Sequence, residues 1–368
     1  MNGPDLIVVG ASARAAAFSA VRAGFSPFWI DQFGDRDLAE RYPGVRVPES
    51  RYPAAIAGLV RAAPRAPLIY TGAMENHAAV LRRIAALRPL LGNDAETCAA
   101  VRDPFRLHRC LAGRGIAAPE VRPGTDRAPA GRWLRKPLAG GGGLGIDFES
   151  GAATRSSASY LQRFVEGEGC SAVFVADGSA AALVGVTLQL VGRPEFHAPR
   201  FAYCGSIGPL PLTATEREEW SEIGGVIARE FGLRGLFGVD AVRDRGRVVP
   251  VEVNPRYTAS VEVHELAGGP ATLALHAAAC RGPLPSFPVV STSGLVGKAH
   301  LFAPSDLRIP DEVDLRSIGT AEIADVPAPG TLVRAGAPIL TLLTRGDDEG
   351  CCARLLAVGA RDLYQALA

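Results

Sequence analysis

The chain has 368 residues, of which 48% are hydrophobic and 21% are charged. These proportions are typical of a globular protein, and the length predicts two or three domains. The formal net charge is +1, which excludes the strong basic excess of a nucleic-acid-binding protein, so we expect no nucleic-acid partner.

Seven cysteines are scattered along the sequence without a Cys-x-x-Cys pair. Their odd number and their spacing argue against a disulfide framework or a zinc site, and they favour a reducing compartment. No hydrophobic run approaches the roughly 20 residues that cross a bilayer, and the N-terminus begins with a strand rather than a basic and hydrophobic leader. We therefore expect a cytoplasmic protein with no membrane partner.

The N-terminal segment predicts a βαβ unit. Residues 6–9 form a continuous hydrophobic strand, residues 13–23 form an alanine-rich helix, and residues 27–31 form a second strand that ends in an acid. The pattern is similar to a dinucleotide-binding fold, but the glycine fingerprint after Gly10 is incomplete. An oxidoreductase that uses NAD(P) is therefore kept as an alternative.

The next elements are a parallel strand at residues 67–70 and a helix that begins near Glu75 and runs to about Leu91. Residues 117–130 are rich in proline and glycine and predict a connection between lobes. Further along, residues 171–178 and 183–190 predict a hairpin, and residues 215–231 predict an amphipathic helix that begins at a threonine cap.

A lysine followed by a glycine-rich loop is the first candidate site. Lys136 lies on a short predicted strand, and Gly140, Gly141, Gly142 and Gly143 follow it. Glycines let backbone N–H groups approach and surround phosphate oxygens, and a lysine adds a positive charge for the same anion. The loop lacks the Gly-Lys-Ser/Thr string of a Walker A motif. The sequence has 37 arginines but only two lysines, at 136 and 298, which suggests that an ammonium group is required at these positions.

A second candidate site lies on a predicted hairpin formed by residues 238–242 and 248–253. Because side chains alternate along a strand, Glu252 and Asn254 point to the same face, and Asp240 lies on the neighbouring strand. Three oxygen-bearing side chains can then converge, as hard cations such as Mg²⁺ prefer. Arg256 follows two residues later, where it can lie beside phosphates bound to the same cation.

In this order, these features resemble the ATP-grasp superfamily over roughly residues 100–300. The markers are the lysine and the glycine loop, the hinge-like segment 160–168, the strand aspartate, and the Glu-x-Asn-Pro-Arg string that begins at Glu252. The resemblance implies two α+β lobes that hold ATP between them. Many members carry a further lysine at the start of this region, whereas residues 101–108 contain only arginines as basic residues besides a histidine.

The resemblance also implies a role for individual residues. The glycine loop closes over the phosphates, the backbone of the hinge pairs with adenine, and an acidic residue holds the ribose. The implied cofactor-binding residues are Lys136, Gly140, Gly141, Gly142, Gly143, Gln162, Phe164, Val165 and Glu168. The implied ligands of Mg²⁺ or Mn²⁺ are Asp240, Glu252 and Asn254, and the implied catalytic residues are Lys136 and Arg256.

The acceptor substrate is expected at the loop from Gly10 to Arg14 and at the segment after Arg256. The predicted substrate contacts are Ser12, Arg14, Ser260, Glu262 and Lys298. The C-terminal region contains proline- and glycine-rich turns near residues 327–338 and is similar to the closing module of biotin-carboxylase-related predicted carboligases. It contains no lysine that could be biotinylated, other than Lys298 in its first strand.

The predicted fold class is α/β and α+β. A Rossmann-like lobe occupies residues 1–98, an ATP-grasp small lobe with the glycine loop and hinge occupies 99–178, and a large lobe with the metal site occupies 179–290. A small β-rich module occupies 291–368.

The function that this resemblance implies is an ADP-forming carboxylate–amine ligase, with ATP and Mg²⁺ as cofactors. Its substrates would be a small acid, amino acid or coenzyme precursor, including a precursor in one-carbon coenzyme biosynthesis, together with an amine. Activation of bicarbonate in the manner of biotin carboxylase is an alternative, as is a regulator that binds ATP without catalysis. Related proteins are often dimers, so a homodimer is compatible with the resemblance.

Overall fold

The computed structural model describes residues 3–151, 155–244, 246–287, 294–311, 315, 319 and 321–367. The α-helices of this part of the chain are α1 (Arg14–Arg22), α2 (Arg36–Ala39), α3 (Ile56–Ala62), α4 (Ala78–Ala85), α5 (Ala95–Val101), α6 (Pro104–Ala112), α7 (Ala214–Phe231), α8 (Ala259–Leu266), α9 (Thr272–Arg281) and α10 (Glu349–Leu367). Short 3₁₀ helices span Glu49–Arg51, Met74–Asn76 and Pro194–Phe196.

The strands in the same part of the chain are β1 (Leu6–Gly10), β2 (Pro27–Asp31), β3 (Gly44–Arg46), β4 (Leu68–Tyr70), β5 (Val121–Pro123), β6 (Trp133–Pro137), β7 (Asp147–Phe148), β8 (Ser159–Arg163), β9 (Glu168–Asp177), β10 (Ala181–Val191), β11 (Tyr203–Gly208), β12 (Arg234–Asp244), β13 (Arg247–Asn254), β14 (Leu295–Phe302), β15 (Leu307–Arg308), β16 (Glu322–Ala324), β17 (Leu332–Val333) and β18 (Pro338–Gly346).

The N-terminal lobe contains a parallel sheet in the order β3-β2-β1-β4. Strand β1 is buried along its whole length, which explains its unbroken hydrophobic run. Helix α1 packs through small side chains, with Ala16, Ala17 and Ala20 buried. The predicted βαβ unit is confirmed, and its strands direct their carboxyl ends to one edge of the sheet.

A small antiparallel sheet in the order β5-β8-β6-β7 forms the second lobe. Strand β6 carries Lys136 opposite Tyr160 on β8, and the glycine-rich loop connects β6 to β7. The loop therefore emerges from the edge of a sheet, and its ends are fixed by strand pairing.

The largest sheet has eight strands in the order β13-β12-β9-β10-β11-β14-β18-β16. Helix α7 covers it through Trp220, Ile223 and Ile227, and the stacked rings of Phe174 and Phe237 lie 5.0 Å apart in the same core. The predicted hairpins at 171–190 and 238–253 are both confirmed. The cap of α7 is Thr213, two residues before the predicted start, and it forms a capping box with Glu216.

Two expectations from the sequence differ from the structure. Helix α4 ends at Ala85 rather than near Leu91, because Pro89 disfavours helical backbone at the preceding residue and Leu90 pairs with Leu68. The expected boundary at 178/179 falls inside the β9–β10 hairpin, and β14, β16 and β18 of the C-terminal module extend the same eight-stranded sheet. Strand pairing thus joins segments that the four-part division separated, and the domain limits themselves stay a prediction.

All seven cysteines are unpaired. Within the described ranges, no helix is both long and apolar enough to cross a bilayer.

Candidate active site

A cleft of about 620 Å³ lies between the small antiparallel sheet and the face of the eight-stranded sheet that carries β12 and β13. Strands β6, β8, β9, β12 and β13 contribute polar side chains to it. The residues predicted from the sequence that line the cleft are Lys136, Gly142, Gly143, Gln162, Phe164, Val165, Glu168, Asp240, Glu252, Asn254, Arg256 and Ser260.

The acidic centre of the cleft is built by strand register. Asp240 on β12 lies opposite Glu252 on β13, next to a bulge that interrupts the ladder. The Asp240 carboxylate accepts hydrogen bonds from Ser171 Oγ at 2.7 Å, Gln189 Nε2 at 2.8 Å and Asn254 Nδ2 at 2.9 Å. These three donors hold the carboxylate in one orientation.

The electrostatics of the acidic centre at Asp240 and Glu252 favour a bound cation. Burial, together with the negative charge of Glu252, raises the pKa of Asp240 to about 6. Glu252 keeps about a third of its side chain exposed, toward the cleft that it lines. Nearby positive charge stabilises neighbouring carboxylates in their ionised form.

The residues fit a magnesium ion that is held partly by substrate. The donor set is two carboxylates and the Asn254 amide oxygen, all hard oxygen ligands. In the part of the chain that the structure describes, no group of three or more His, Cys, Asp or Glu forms a complete metal cage. Mg²⁺ usually binds through one or two carboxylates and takes its remaining ligands from phosphates and water. Asp240, Glu252 and Asn254 would be the ligands that the protein supplies.

Lys136 approaches this centre from the opposite sheet. Its side chain is buried, with Nζ 3.2 Å from Gln162 Oε1 and 3.9 Å from Glu252 Oε2. Burial alone lowers the pKa of Lys136, but Tyr160 and Glu252 outweigh it and hold the pKa above its ordinary value. The ammonium group is therefore charged and directed at the acidic centre.

The glycine loop closes against the large sheet. The backbone N–H of Tyr203 donates to the carbonyl of Gly142 at 2.9 Å, and Gly143 has φ +76°. A Cβ at Gly143 would lie 1.8 Å from the carbonyl oxygen of Phe201, so this position requires glycine. In contrast, a Cβ at Gly141 would meet nothing within 4 Å.

Gly140 and Gly141 do not line the cleft in this conformation. The carbonyl of Gly140 accepts from Arg102 at 2.8 Å, and the same guanidinium donates to Asn76 Oδ1 at 2.6 Å. The arginine in the segment where many relatives have a lysine thus anchors the loop to the N-terminal lobe.

Gly143→Ala should weaken the closed loop, because left-handed backbone costs a residue with a Cβ about 1–2 kcal/mol and the new methyl group clashes with the chain at Phe201. We expect thermolysin to cut before the exposed Leu144 about tenfold faster in the variant. Gly141→Ala is the matched control and should be cut at the wild-type rate. Equal rates for the two variants would contradict this account of the loop.

The hinge-like segment provides the far wall of the cleft. Gln162 is buried, and its Nε2 donates to the backbone carbonyl of Val251 at 3.3 Å. Phe164 follows β8, and its ring lies 5.1 Å from the ring of Phe148 on β7. Glu168 begins β9 and is paired with Arg243 at 2.6 Å. The roles of these residues toward a nucleotide remain predictions.

Reasoning from the sequence missed the residues that hold Arg256 and Asp240 in place. Arg256 donates through Nε to Glu75 in the N-terminal lobe at 2.6 Å and through a terminal nitrogen to Asn254 at 3.1 Å. No sequence spacing joins Glu75 to Arg256, which is 181 residues away. Gln189 could have been found, since it is a polar residue in an otherwise apolar strand.

Of the five predicted substrate residues, only Ser260 lines the cleft. Ser260 is buried in its wall, with its hydroxyl 3.1 Å from that of Thr258. Ser12, Arg14, Glu262 and Lys298 are not among the lining residues. Ser12 is exposed, and its carbonyl accepts from Thr71.

Arg14, Glu262 and Lys298 instead form a buried ionic junction between lobes. Arg14 at the start of α1 pairs with Glu262 on α8 and with Asp325 at 2.9 Å, and Lys298 Nζ lies 2.8 Å from Glu262. Burial tends to raise the pKa of Glu262, but Arg14 and Lys298 lower it to about 2. Their part in substrate binding stays a prediction.

Glu262→Gln should reduce the free energy of unfolding by about 3–5 kcal/mol at pH 7.5, because it leaves buried cations without their partner. The depressed pKa means that the glutamate stabilises the fold above about pH 4.5, and this contribution is lost as the pH falls toward 2. In urea unfolding, the difference in the free energy of unfolding between the wild type and Glu262→Gln should therefore be smaller at pH 3.5 than at pH 7.5.

The control for Glu262 is Asp306→Asn, which breaks the exposed pair with Arg334. Exposed pairs contribute little, so this variant should unfold like the wild type. A Glu262→Gln protein as stable as the Asp306→Asn protein at pH 7.5 would contradict the structural role of the junction.

Comparisons with known proteins agree with the fold. The profile of the ATP-grasp domain matches residues 101–260, whereas no curated protein matches the chain. The fold is similar to that of the L-amino acid ligase from Bacillus licheniformis (TM-score 0.72, 14% identity, covering 99% of this chain and 98% of that one). It is also similar to N5-carboxyaminoimidazole ribonucleotide synthetase from Thermotoga maritima (0.67, 13%, 98% and 98%).

A third similar structure is the biotin carboxylase domain dimer of 2-oxoglutarate carboxylase from Hydrogenobacter thermophilus, in complex with MgADP, ADP and bicarbonate. Its TM-score is 0.70 at 15% identity, and the match covers 94% of this chain and 87% of that one. At such identities, the likeness to these three structures is one of fold.

Proposed function

Because its ATP-grasp domain at residues 101–260 places the chain in the ATP-grasp superfamily, we propose that it is an ATP-dependent, ADP-forming ligase. It would activate a small carboxylate as an acyl phosphate for attack by an amine. The observation that carries the proposal is the convergence on one cleft of Lys136, Asp240, Glu252, Asn254 and Arg256. This set combines ligands for Mg²⁺ with two cations for phosphate oxygens.

In the first half of the reaction, a carboxylate oxygen of the substrate attacks the γ-phosphorus of ATP. The bond between that phosphorus and the bridging oxygen breaks, and ADP leaves. Mg²⁺, when bound, supplies charge neutralisation to the phosphates, and Asp240, Glu252 and Asn254 would hold it. Lys136 neutralises charge on the transferred group from the opposite sheet.

In the second half, the amine nitrogen attacks the acyl carbon, the carbon–oxygen bond to phosphate breaks, and the nitrogen loses a proton. Arg256 is held by Glu75 and Asn254 close to the acidic centre, where its guanidinium can orient an anionic group. Closure of the glycine loop, which the hydrogen bond between Gly142 and Tyr203 supports, would limit access of water that could hydrolyse the acyl phosphate.

Mg·ATP should stabilise the wild-type protein against heat, since a ligand at a hundred times its Kd adds about 2.7 kcal/mol to the free energy of unfolding. Screening pairs of carboxylates and amines for ADP release should identify a competent pair. Glu252→Gln and Lys136→Ala should then lose at least about a hundredfold in kcat while their unfolding without ligand stays close to the wild type.

The control is Glu222→Gln, which neutralises an exposed glutamate on α7, away from the cleft. It should keep both the Mg·ATP effect and turnover. ADP release at the wild-type rate by either cleft variant would refute the assignment of the active-site residues. If Mg·ATP did not stabilise the wild type, the proposal that the protein binds ATP would be refuted.

Activation of bicarbonate is the second candidate, and it is supported by the likeness of fold to a biotin carboxylase domain that was solved with bicarbonate. The same screen distinguishes the two functions. ADP release that requires bicarbonate and free biotin, without an amine, would favour carboxylation. ADP release that requires an amine and an organic acid would favour the ligase.

A further inference from the structure

A cluster of carboxylates lies at the carboxyl edge of the N-terminal parallel sheet, beside the ionic junction. Its members come from β2, the turn and helix that follow it, α8 and the segment before β17, and they are Asp31, Asp35, Asp37, Glu262 and Asp325. Among the residues that the structure describes, only Arg14 and Lys298 lie within salt-bridge distance of any of the five. Five carboxylates thus face two cations.

Two of the aspartates have backbone partners. Asp31 accepts from the N–H groups of Ala13 and Gly34, each at 2.5 Å. Asp37 accepts from the N–H groups of Asp325 and Val326 at 3.1 and 3.0 Å. These hydrogen bonds give both carboxylates a structural role.

The other two partnered acids are held by side chains. Glu262 is paired with Arg14 and Lys298, and Asp325 accepts from Arg14 and from Thr341. Both cations of the cluster are therefore engaged by these two acids.

Asp35 differs from the other four acids. Only 6% of the residue is exposed, yet its Oδ2 atom has no hydrogen-bond partner, and its side chain does not cap the helix α2 that follows it. Burial raises the pKa of Asp35, and the negative charges of Asp325, Asp31 and Asp37 raise it further. A buried Oδ2 atom without a hydrogen-bond partner costs free energy that a fold rarely leaves uncompensated.

We propose that this cluster binds a positively charged nitrogen, an organic ammonium group, on one of the two substrates of the ligase. The inference rests on the proposed function, because it assigns the chemical class of that reaction's substrate. An ammonium group supplies the missing charge and up to three N–H donors in a compact volume. The side chains of Asp37 and Asp325 keep 13% and 17% exposure, so the cluster is open to solvent on that side.

The position of the cluster agrees with a substrate that reaches into the cleft. Glu262 belongs to the same helix, α8, as Ser260, and Ser260 lies in the cleft wall. A substrate whose ammonium group binds at Asp35 would have to extend along α8 to reach the cleft, since none of the five acids lines it.

The first test is stability without substrate. Asp35→Asn removes one of several neighbouring negative charges, and the Oδ2 atom of that carboxylate has no hydrogen-bond partner. The variant should therefore melt a few degrees above the wild type. The matched control is Asp37→Asn, which makes the same change two residues along the chain. It loses one of two backbone hydrogen bonds, because the amide nitrogen cannot accept, and it should lower the melting temperature. A lower melting temperature for Asp35→Asn would overturn the assignment of Asp35 as a carboxylate kept for a ligand.

The second test uses methylammonium chloride as the probe, against potassium chloride at equal ionic strength, in the presence of Mg·ADP. Methylammonium should raise the melting temperature of the wild type above that in potassium chloride, and Asp35→Asn should abolish the difference. Equal melting temperatures of the wild type in the two salts would overturn the proposal.

The third test uses the substrate that the ligase screen identifies and its isostere in which a methyl group replaces an ammonium group other than the amine that attacks the acyl phosphate. The wild type should prefer the cationic form by at least about tenfold in kcat/KM, and Asp35→Asn should lose the preference through KM. A wild type with no preference contradicts the inference. Because stabilisation by Mg·ATP is measured separately, loss of the ammonium effects alone refutes this inference, whereas loss of the Mg·ATP effect refutes the ligase proposal.

Discussion

The site depends on the repulsion between two carboxylates on adjacent strands. Asp240 and Glu252 lie opposite each other in the β12–β13 ladder, and the pKa of Asp240 rises to about 6 through burial and the charge of its neighbour. Three neutral donors fix Asp240, but none of them supplies positive charge. The centre therefore requires cations from elsewhere, and the arrangement of the lobes provides them.

Each cation comes from a different part of the fold. Lys136 reaches across from the small sheet, and Arg256 follows β13 but is held by Glu75 of the N-terminal lobe. The ionic junction around Arg14 fastens that lobe to α8 and to the C-terminal segment. The proposed nucleotide chemistry and the proposed ammonium site would thus depend on the same interfaces between lobes.

Local sequence predicted the features that local structure determines. The βαβ unit, the two hairpins and the glycine loop were predicted because strand alternation, turn residues and glycine runs are properties of neighbouring residues. The convergence of Asp240, Glu252 and Asn254 follows from one hairpin, so the sequence could indicate it. Contacts across lobes had no such signal. The pair of Glu75 with Arg256 and the burial of Glu262 by Arg14 depend on packing between segments more than 180 and 240 residues apart. The end of α4 had a local signal in Pro89, whereas the pairing of Leu90 with Leu68 is a tertiary effect.

The central claim is that this cleft holds a divalent cation and a triphosphate between two sheets. The most direct measurement is the anomalous scattering of Mn²⁺ in crystals grown with a non-hydrolysable ATP analogue. The account predicts a manganese peak within coordination distance of oxygen atoms of Glu252 and of at least one of Asp240 and Asn254, with Lys136 on the phosphates. A nucleotide bound elsewhere, or a metal peak distant from all three side chains, would contradict it.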